Sequence, residues 1–178
     1  VGRGIDTAVD DGAVCLVIEL DTPGGLDSSM RTIVRRMLTS PVPVIVYVTP
    51  TGARAGSAGV FITLAGHVAA MAPGTNIGAA HPVAGMGQMD ETMSKKVASD
   101  AAAYIRSKAE RRGRSVEMAE KAVLESKSFT DKEALDARLI DLVVKDVPEL
   151  ISALDGREMA PSAATRERLL DEAVTWRD

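Results

Sequence analysis

Apolar and polar residues follow two different spacings along this chain, and each spacing predicts a different kind of element. Two nearly continuous β-branched runs, Ala13–Leu20 and Val42–Val48, are typical of strands buried on both faces of a parallel sheet. Between them, apolar residues recur at helical spacing from Leu26 to Leu38. A strand, a helix and a strand within about forty residues predict a right-handed βαβ unit.

The same patterns predict shorter elements downstream. A Gly/Ala/Ser loop at 51–56 precedes an apolar helix that begins near Ser57, and Thr130 and Glu133 have the spacing of a capping box. Further strands are predicted at 69–72, 77–80 and 139–144, and further helices at 91–112, 116–125, 134–137 and 148–154. No internal repeat is visible in the sequence. The predicted fold class is α/β.

The amino-acid composition excludes several kinds of functional site. A chain of 178 residues is long enough for one domain with a proper core and too short for two comfortable ones. One Cys and two His exclude an internal disulfide and a Cys/His zinc cage, so no metal site and no cofactor are expected. Few aromatic residues and a net charge of −4 argue against nucleic-acid binding. No apolar run is long enough to span a bilayer, so the fragment itself is expected to be soluble.

The first candidate site is the loop Asp21-Thr22-Pro23-Gly24-Gly25, directly after a predicted buried strand. Open α/β folds place their sites at the carboxyl ends of parallel strands. Two adjacent glycines allow backbone amides to converge on one point, as in an oxyanion hole. The alternative is a plain turn between a strand and a helix, and the loop alone does not decide between the two.

The second candidate is Ser57, at the start of the next predicted helix. Unpaired amides and the helix dipole at that end suit a nucleophile whose transition state carries an oxyanion. The same position suits a serine that only caps the helix. The surrounding Ala-Gly-Ser-Ala-Gly does not match the G-x-S-x-G elbow of the hydrolases.

A nucleophilic serine needs a base, and three groups of residues are candidates. His67 lies about 15 Å from Ser57 if one helix joins them, which is too far. His81 follows a short predicted strand and is placed to fold back towards Ser57. Lys95 and Lys96 open the long helix on opposite flanks of its apolar face, so periodicity does not choose between them, and both also fit a solvated pair.

Taken together, these motifs resemble one protein family. The ordered set is DTPGG at 21–25, RAGSAGVFITLAGHVAAMAPGTNIGAAHPV at 54–83, KKVASDAAAYIRSKAERRGR at 95–114 and SFTDKEALDARLIDLVV at 128–144. It looks like the protease domain of the NfeD family, membrane-associated serine proteases of the ClpP/crotonase superfamily. The resemblance implies a repeated ββα spiral with a mainly parallel sheet flanked by helices.

The resemblance also implies domain limits. Residues 1–155 correspond to the ClpP-like protease domain, with its first strand expected to be missing before Val1. Residues 156–178 correspond to a tail or helix that packs on the same domain or on a partner subunit. Further segments of the family pattern are expected to be missing between Arg157 and Met159. Where the family has glycine after the EAL helix, this chain has Arg138, so that turn is expected to differ.

The resemblance assigns roles at matching positions. Ser57 is the nucleophile, Lys96 is the general base, and the amides of Gly25 and Ala58 form the oxyanion hole. His81 is the alternative base, because the ClpP branch carries its catalytic histidine close to this position. Lys95 is not expected to act.

The implied substrate is an apolar segment of a stomatin-like membrane protein, and a homo-oligomer is expected. Membrane association is expected through segments absent from this chain, with the protease domain outside the cytoplasm. Two other classes stay open at this stage: a non-proteolytic, crotonase-like module that binds acyl-CoA, and an inert assembly module.

Overall fold

Strands and helices alternate along this chain. The structure is a computed structural model, which describes residues 1–82 and 90–157. The helices of this part are α1 (Gly2–Asp10), α2 (Asp27–Leu38), α3 (Ala58–Ala65), α4 (Glu91–Arg111), α5 (Val116–Leu124), α6 (Asp131–Asp136) and α7 (Val147–Leu154). The strands are β1 (Leu16–Leu20), β2 (Val44–Val48), β3 (Arg54–Gly56), β4 (Val68–Met71), β5 (Asn76–Gly78), β6 (Ser128–Thr130) and β7 (Leu142–Val143).

A ββα unit occurs three times between Leu16 and Arg111. In each unit a longer strand enters a parallel sheet with the order β1-β2-β4-β7. A short second strand then enters another sheet, in which β3 pairs with β5 in parallel and β5 pairs with β6 antiparallel. In the first unit the short strand is reduced to Thr22, which bridges Ala55 in parallel. Each unit ends in a helix: α2, α3 or α4. The predicted α/β fold, with a mainly parallel sheet flanked by helices, is confirmed.

The core is built on β2 and α3. All five residues of β2 are fully buried, since the strand lies between β1 and β4 and is covered on both faces. Every residue of α3 is also buried. The prediction that β1 would be equally buried is wrong, because β1 is at the sheet edge in the described part of the chain and its residues are mostly half-buried.

A buried arginine fixes the carboxyl end of α3. The Nη1 atom of Arg114 donates to the carbonyl oxygens of Leu64 and Gly66, at 3.0 Å each. Its Nη2 atom donates to Asp141 at 2.7 Å, and the same carboxylate oxygen accepts the Ala69 amide at 2.7 Å. Burial lowers the pKa of the Arg114 guanidinium, and the carboxylate of Asp141 opposes that change. One charge pair, with a buried arginine and a partly exposed aspartate, therefore ties α3, β4 and the segment before β7 together.

Two short strands were missed by the sequence pattern. β3 lies inside the predicted 51–56 loop, and β6 immediately precedes the predicted capping box. Each has three residues, which is too short for an alternation of apolar and polar residues to be visible. The capping box itself is present, with Thr130 and Glu133 bonded reciprocally.

The predicted strand at 139–144 is also shorter than expected. Leu139 and Ile140 are buried in the core before the strand starts, so their hydrophobicity reflects packing and not pairing. After α6, Arg138 has a φ of +55°. The left-handed turn expected of glycine is therefore kept with an arginine in it, instead of being replaced by a different turn.

No helix in the described ranges is both long enough and apolar enough to cross a membrane. His67 lies just beyond the end of α3. Residues 83–89 and 158–178 lie outside the described ranges, and with them most of the expected 156–178 tail.

We predict that Arg114→Leu lowers the free energy of unfolding by about 3 kcal/mol, because it leaves Asp141 without its charge partner and two helix-end carbonyls without a donor. Urea denaturation measures the change. Arg106→Leu is the matched control, since the Arg106 side chain pairs with Glu120 but is 40% exposed. Arg106→Leu should lower the free energy of unfolding by less than about 1 kcal/mol. Equal losses in the two variants would contradict a special role for Arg114.

A second prediction concerns acid stability. Burial and the guanidinium groups of Arg112 and Arg114 lower the pKa of His67 to about 3, from 6.5. The His67 Nδ1 atom accepts a hydrogen bond from the Val44 amide at 3.0 Å, which requires that nitrogen to be unprotonated. Between these two pKa values the unfolded chain binds one more proton than the folded chain. This contribution to stability is therefore complete above pH 6.5 and is lost as the pH falls towards 3.

Because the asparagine carbonyl can replace Nδ1 as acceptor without titrating, His67→Asn should reduce the acid slope of the unfolding free energy by about 1 kcal/mol per pH unit between pH 6 and pH 4. Urea denaturation at a series of pH values measures the slope. His81→Asn, which removes the other histidine, is the matched control. An unchanged slope in His67→Asn would show that this ring does not set the acid sensitivity.

Candidate active site

The repeated ββα units bring three equivalent loops side by side. Each loop follows the short second strand of its unit: 23–26 follows Thr22, Ser57 follows β3, and Ala79 to Pro82 follow β5. Since Thr22, β3 and β5 are neighbours, their carboxyl ends lie at one edge. The Ser57 amide donates to the Gly78 carbonyl at 3.3 Å, which joins the second loop to the third. The two predicted candidate loops, 21–25 and 53–59, are therefore parts of one site.

Glycines allow the first two loops to touch. A methyl group added to Gly24 would lie 2.8 Å from Cβ of Ser57 and 3.3 Å from its Oγ. One added to Gly56 would lie 2.8 Å from the Pro23 carbonyl oxygen. Since side-chain carbons do not approach other atoms so closely, both positions require glycine. Gly24 also has a φ of +140°, a conformation that other residues rarely adopt.

Two polar side chains of the same motif hold the glycine loop in place. The Asp21 carboxylate accepts the Arg54 amide at 3.0 Å. The Thr22 hydroxyl accepts the Gly24 amide at 3.1 Å and donates to the Gly24 carbonyl at 3.0 Å. Both residues belong to the predicted 21–25 loop, but no role was predicted for either of them. The signal was their place directly before the two glycines, where short polar side chains can bond back to a turn.

Ser57 occupies the N-cap position of α3 but does not act as a cap. Its side chain makes no capping hydrogen bond to the first turn of the helix, so the capping alternative is not realised. Its backbone has a φ of +48° and a ψ of −113°, which costs a non-glycine residue on the order of 1–3 kcal/mol. The half-buried hydroxyl is thus held at the mouth of the glycine loop by a strained backbone.

Two backbone amides of these loops, those of Gly25 and Ala58, are candidates for binding an anion. The Ala58 amide belongs to the first residue of α3 and has no partner within the helix. The Gly25 amide follows Gly24, and no acceptor for it is found in residues 1–82 or 90–157. The helix dipole adds a partial positive charge at Ala58. The arrangement has the parts of an anion-stabilising pair next to a hydroxyl.

His81 lies three residues beyond Gly78, the residue that contacts Ser57. Its Nδ1 atom is 3.0 Å from the Val123 carbonyl oxygen in α5. A carbonyl only accepts, so this bond places the proton on Nδ1 and leaves Nε2 as the nitrogen that can take a proton. His81 is half-buried.

Lys96 lies in the first turns of α4, on its exposed face. It lines a shallow surface concavity with Thr92, Lys95, Ser99 and other residues of the same helix. The described residues show no contact between Lys96 and Ser57. Lys95 is also exposed and pairs with Glu91 at 2.6 Å. The described part of the chain places no group of three or more His, Cys, Asp or Glu side chains where it could hold a metal.

Known proteins are similar to this chain in sequence and in fold. A family model for the N-terminal domain of NfeD1b matches residues 1–156. The membrane-bound protease PH1510 of Pyrococcus horikoshii is 42% identical over 156 residues, which cover 86% of this chain. The match covers 35% of that protein, so the chain spans about a third of the length of this relative.

Two solved structures of the 1510-N membrane-bound stomatin-specific protease are similar to this one. A serine-to-alanine mutant superposes with a TM-score of 0.84 at 39% identity, covering 91% of this chain and 80% of that one. A lysine-to-alanine mutant in complex with a substrate peptide superposes with a TM-score of 0.81 at 35% identity, covering 97% and 89%. With the match of the family model over residues 1–156, the chain belongs to the family of NfeD1b N-terminal domains.

Proposed function

We propose that this chain is the proteolytic domain of a membrane-associated serine protease, with Ser57 as nucleophile and Lys96 as general base. The observation that carries the proposal is Ser57 itself, which has a strained backbone and a hydroxyl not used for capping, and lies against the Gly24 loop. Backbone strain of this kind clusters at active sites and ligand-binding segments. The similarity to a protease studied as serine and lysine mutants supports the same pair of residue types.

The proposed chemistry is that of a serine nucleophile with a lysine base. Neutral Lys96 accepts the Ser57 proton as Oγ attacks the carbonyl carbon of the scissile bond. The carbonyl oxygen becomes an oxyanion, which the amides of Gly25 and Ala58 stabilise. Protonated Lys96 then gives its proton to the leaving amine, and an acyl-enzyme remains. Water, deprotonated by Lys96, attacks the ester, and collapse of the second oxyanion releases the acid and returns the proton to Ser57.

Lys96 is exposed in the described residues, and a lysine acts as a base only when it is neutral. We therefore infer that bound substrate covers its amine and removes it from water. Catalytic contacts are often completed only when substrate is present, so an open arrangement in the free chain is compatible with this role.

The rival base is His81. Its bond to the Val123 carbonyl orients the ring in the way that a carboxylate orients the histidine of a serine protease triad. This observation supports Ser-His as the alternative mechanism, and mutation distinguishes the two bases. An acyl-CoA-binding module would use the paired amides but would have no need of a strained serine, so the backbone of Ser57 favours hydrolysis.

The proposed substrate is an apolar segment of a stomatin-like membrane protein. The support is the similar 1510-N membrane protease, which is specific for a stomatin homolog from Pyrococcus horikoshii. We further propose that residues 1–155 form the protease domain and that this domain forms a homo-oligomer. The membrane anchor is proposed to lie in segments outside this chain, with the domain on the extracytoplasmic side.

We predict that Ser57→Ala and Lys96→Ala each reduce cleavage of an apolar stomatin-like peptide by at least about 10³-fold, because the nucleophile and its base act as a unit. Product formation followed by mass spectrometry measures the rate and identifies the cleaved bond. Lys95→Ala is the matched control: it removes the neighbouring lysine and should leave the rate nearly unchanged.

A different outcome would assign the base to histidine. If Lys96→Ala kept full activity while His81→Ala lost it, the Ser-Lys assignment would be wrong and the Ser-His mechanism would replace it. If Ser57→Ala kept full activity, the protease proposal itself would fail at this site.

Gly24→Ala tests the contact between the two loops. The added methyl group would overlap Cβ of Ser57 and displace the serine, so we expect kcat to fall about 10²-fold. Gly12→Ala is the matched control, since Gly12 also has a positive φ, of +64°, but has no atom within 4 Å of an added methyl group. It should cost about 1 kcal/mol of stability and leave kcat unchanged. Equal kcat values for the two variants would count against the contact.

A further inference from the structure

A basic cleft lies between α2 and α4, both of which pack on α3. Its volume is about 540 Å³, which falls in the usual range for small-molecule sites. Four cationic side chains converge on it, two from each helix, together with a tyrosine. The α2–α4 cleft is lined by Arg31, Arg35, Tyr104, Lys108 and Arg111, with Thr32, Leu38 and Thr39 completing the wall.

The positive charge of this cleft is largely uncompensated. No carboxylate lines it. Arg31 is paired with Asp27 and Asp100 at one end. The ion pairs found in residues 1–82 and 90–157 include no acidic partner for Arg35, Lys108 or Arg111. Three unpaired cations therefore face one concave surface of a chain whose net charge is −4.

Tyr104 brings the cations together. The Arg31 guanidinium carbon lies 4.3 Å from the centre of its ring, and the Lys108 Nζ atom lies 4.2 Å from it. Cation–π contacts of this kind hold both groups in place without neutralising them. Burial and the charges of Arg111 and Arg31 lower the pKa of Lys108, as expected where an anion is missing.

Basic residues at the ends of α2 and α4 also complement the helix dipoles. Interaction with the helix dipoles does not explain why these cationic side chains line the same cleft. Arg36 lies in the same last turn of α2 as Arg35 and pairs with Asp6 in α1, away from the cleft. Arg35 instead faces the cations of α4. Like charges placed together across a concave surface are stabilised by an anion that binds between them.

We propose that the α2–α4 cleft binds a phosphate group that carries at least two negative charges. Guanidinium groups bind phosphate oxygens in pairs, and a compact dianion can contact two arginines and a lysine at once. A single carboxylate would balance only one of the three charges. The phosphate can belong to a soluble compound or to the headgroup of an anionic lipid, and these are distinguished by experiment.

Two binding measurements at low ionic strength test the proposal. Pyrophosphate is titrated into the protein by calorimetry, and the protein is sedimented with phosphatidylcholine vesicles with and without phosphatidic acid. We expect saturable binding in at least one measurement. Arg35→Gln/Arg111→Gln should weaken it at least about tenfold. Lys132→Gln/Lys145→Gln, which removes the same charge from residues that do not line the cleft, should leave it unchanged.

The outcomes separate the sources of the phosphate. Binding of pyrophosphate supports a soluble ligand, and binding only to phosphatidic acid vesicles supports a lipid headgroup. Absence of saturable binding in both measurements, or equal affinity of the two double variants, would overturn the proposal. Neither measurement depends on proteolysis, so a failure here leaves the proposed protease function intact, and the reverse also holds.

Discussion

The hydrogen bonds of Arg114 to the end of α3 are the interaction on which the site depends. Every residue of α3 is buried, so this helix cannot turn its polar ends to solvent. Its carboxyl end is satisfied by two guanidinium groups, because Arg112 donates to the Ala65 carbonyl at 3.0 Å beside the bonds from Arg114. Positive charge at that end also complements the helix dipole. The amino end of the same helix presents Ser57 and the Ala58 amide.

A rigid α3 matters because strain is stored at its other end. The positive φ of Ser57 persists only if the surrounding structure opposes its relaxation. Two features provide that opposition: the Gly78 carbonyl that accepts the Ser57 amide, and the contact of Gly24 against the serine. Any larger residue at position 24 or 56 would push the loops apart. The site thus depends on glycines that let the two loops touch at the amino end of α3. The Arg114–Asp141 pair fixes the carboxyl end of the same helix.

The parts that sequence predicted best are those with long, regular patterns. The apolar run that forms β2 and the helical spacing in α2 were placed within a few residues of their true limits. The ββα repeat was invisible as a repeat, because its short second strands have at most three residues and carry no pattern of their own. The resemblance to a known family, and not periodicity, supplied that architecture.

Part of the candidate active site could be predicted from the sequence. Glycine pairs and a serine after buried strands indicated two loops, and the parallel pairing of Thr22 with Ala55 is what joins them. Sequence could not show that the Ser57 hydroxyl makes no cap, since that depends on a backbone torsion. The partners of Lys96 and His81 depend on contacts between distant segments, so both assignments stay predictions.

Charge illustrates the same difference between composition and arrangement. A net charge of −4 was an argument against nucleic-acid binding by the chain as a whole. Yet helical spacing places Arg31 and Arg35 on one face of α2, and Lys108 and Arg111 on one face of α4, so that both pairs line one cleft. The acidic residues that set the net charge do not line that cleft. The electrostatic function of a surface therefore has to be inferred from the charges that lie on it. The net charge of the chain does not reveal a local cluster of positive charge.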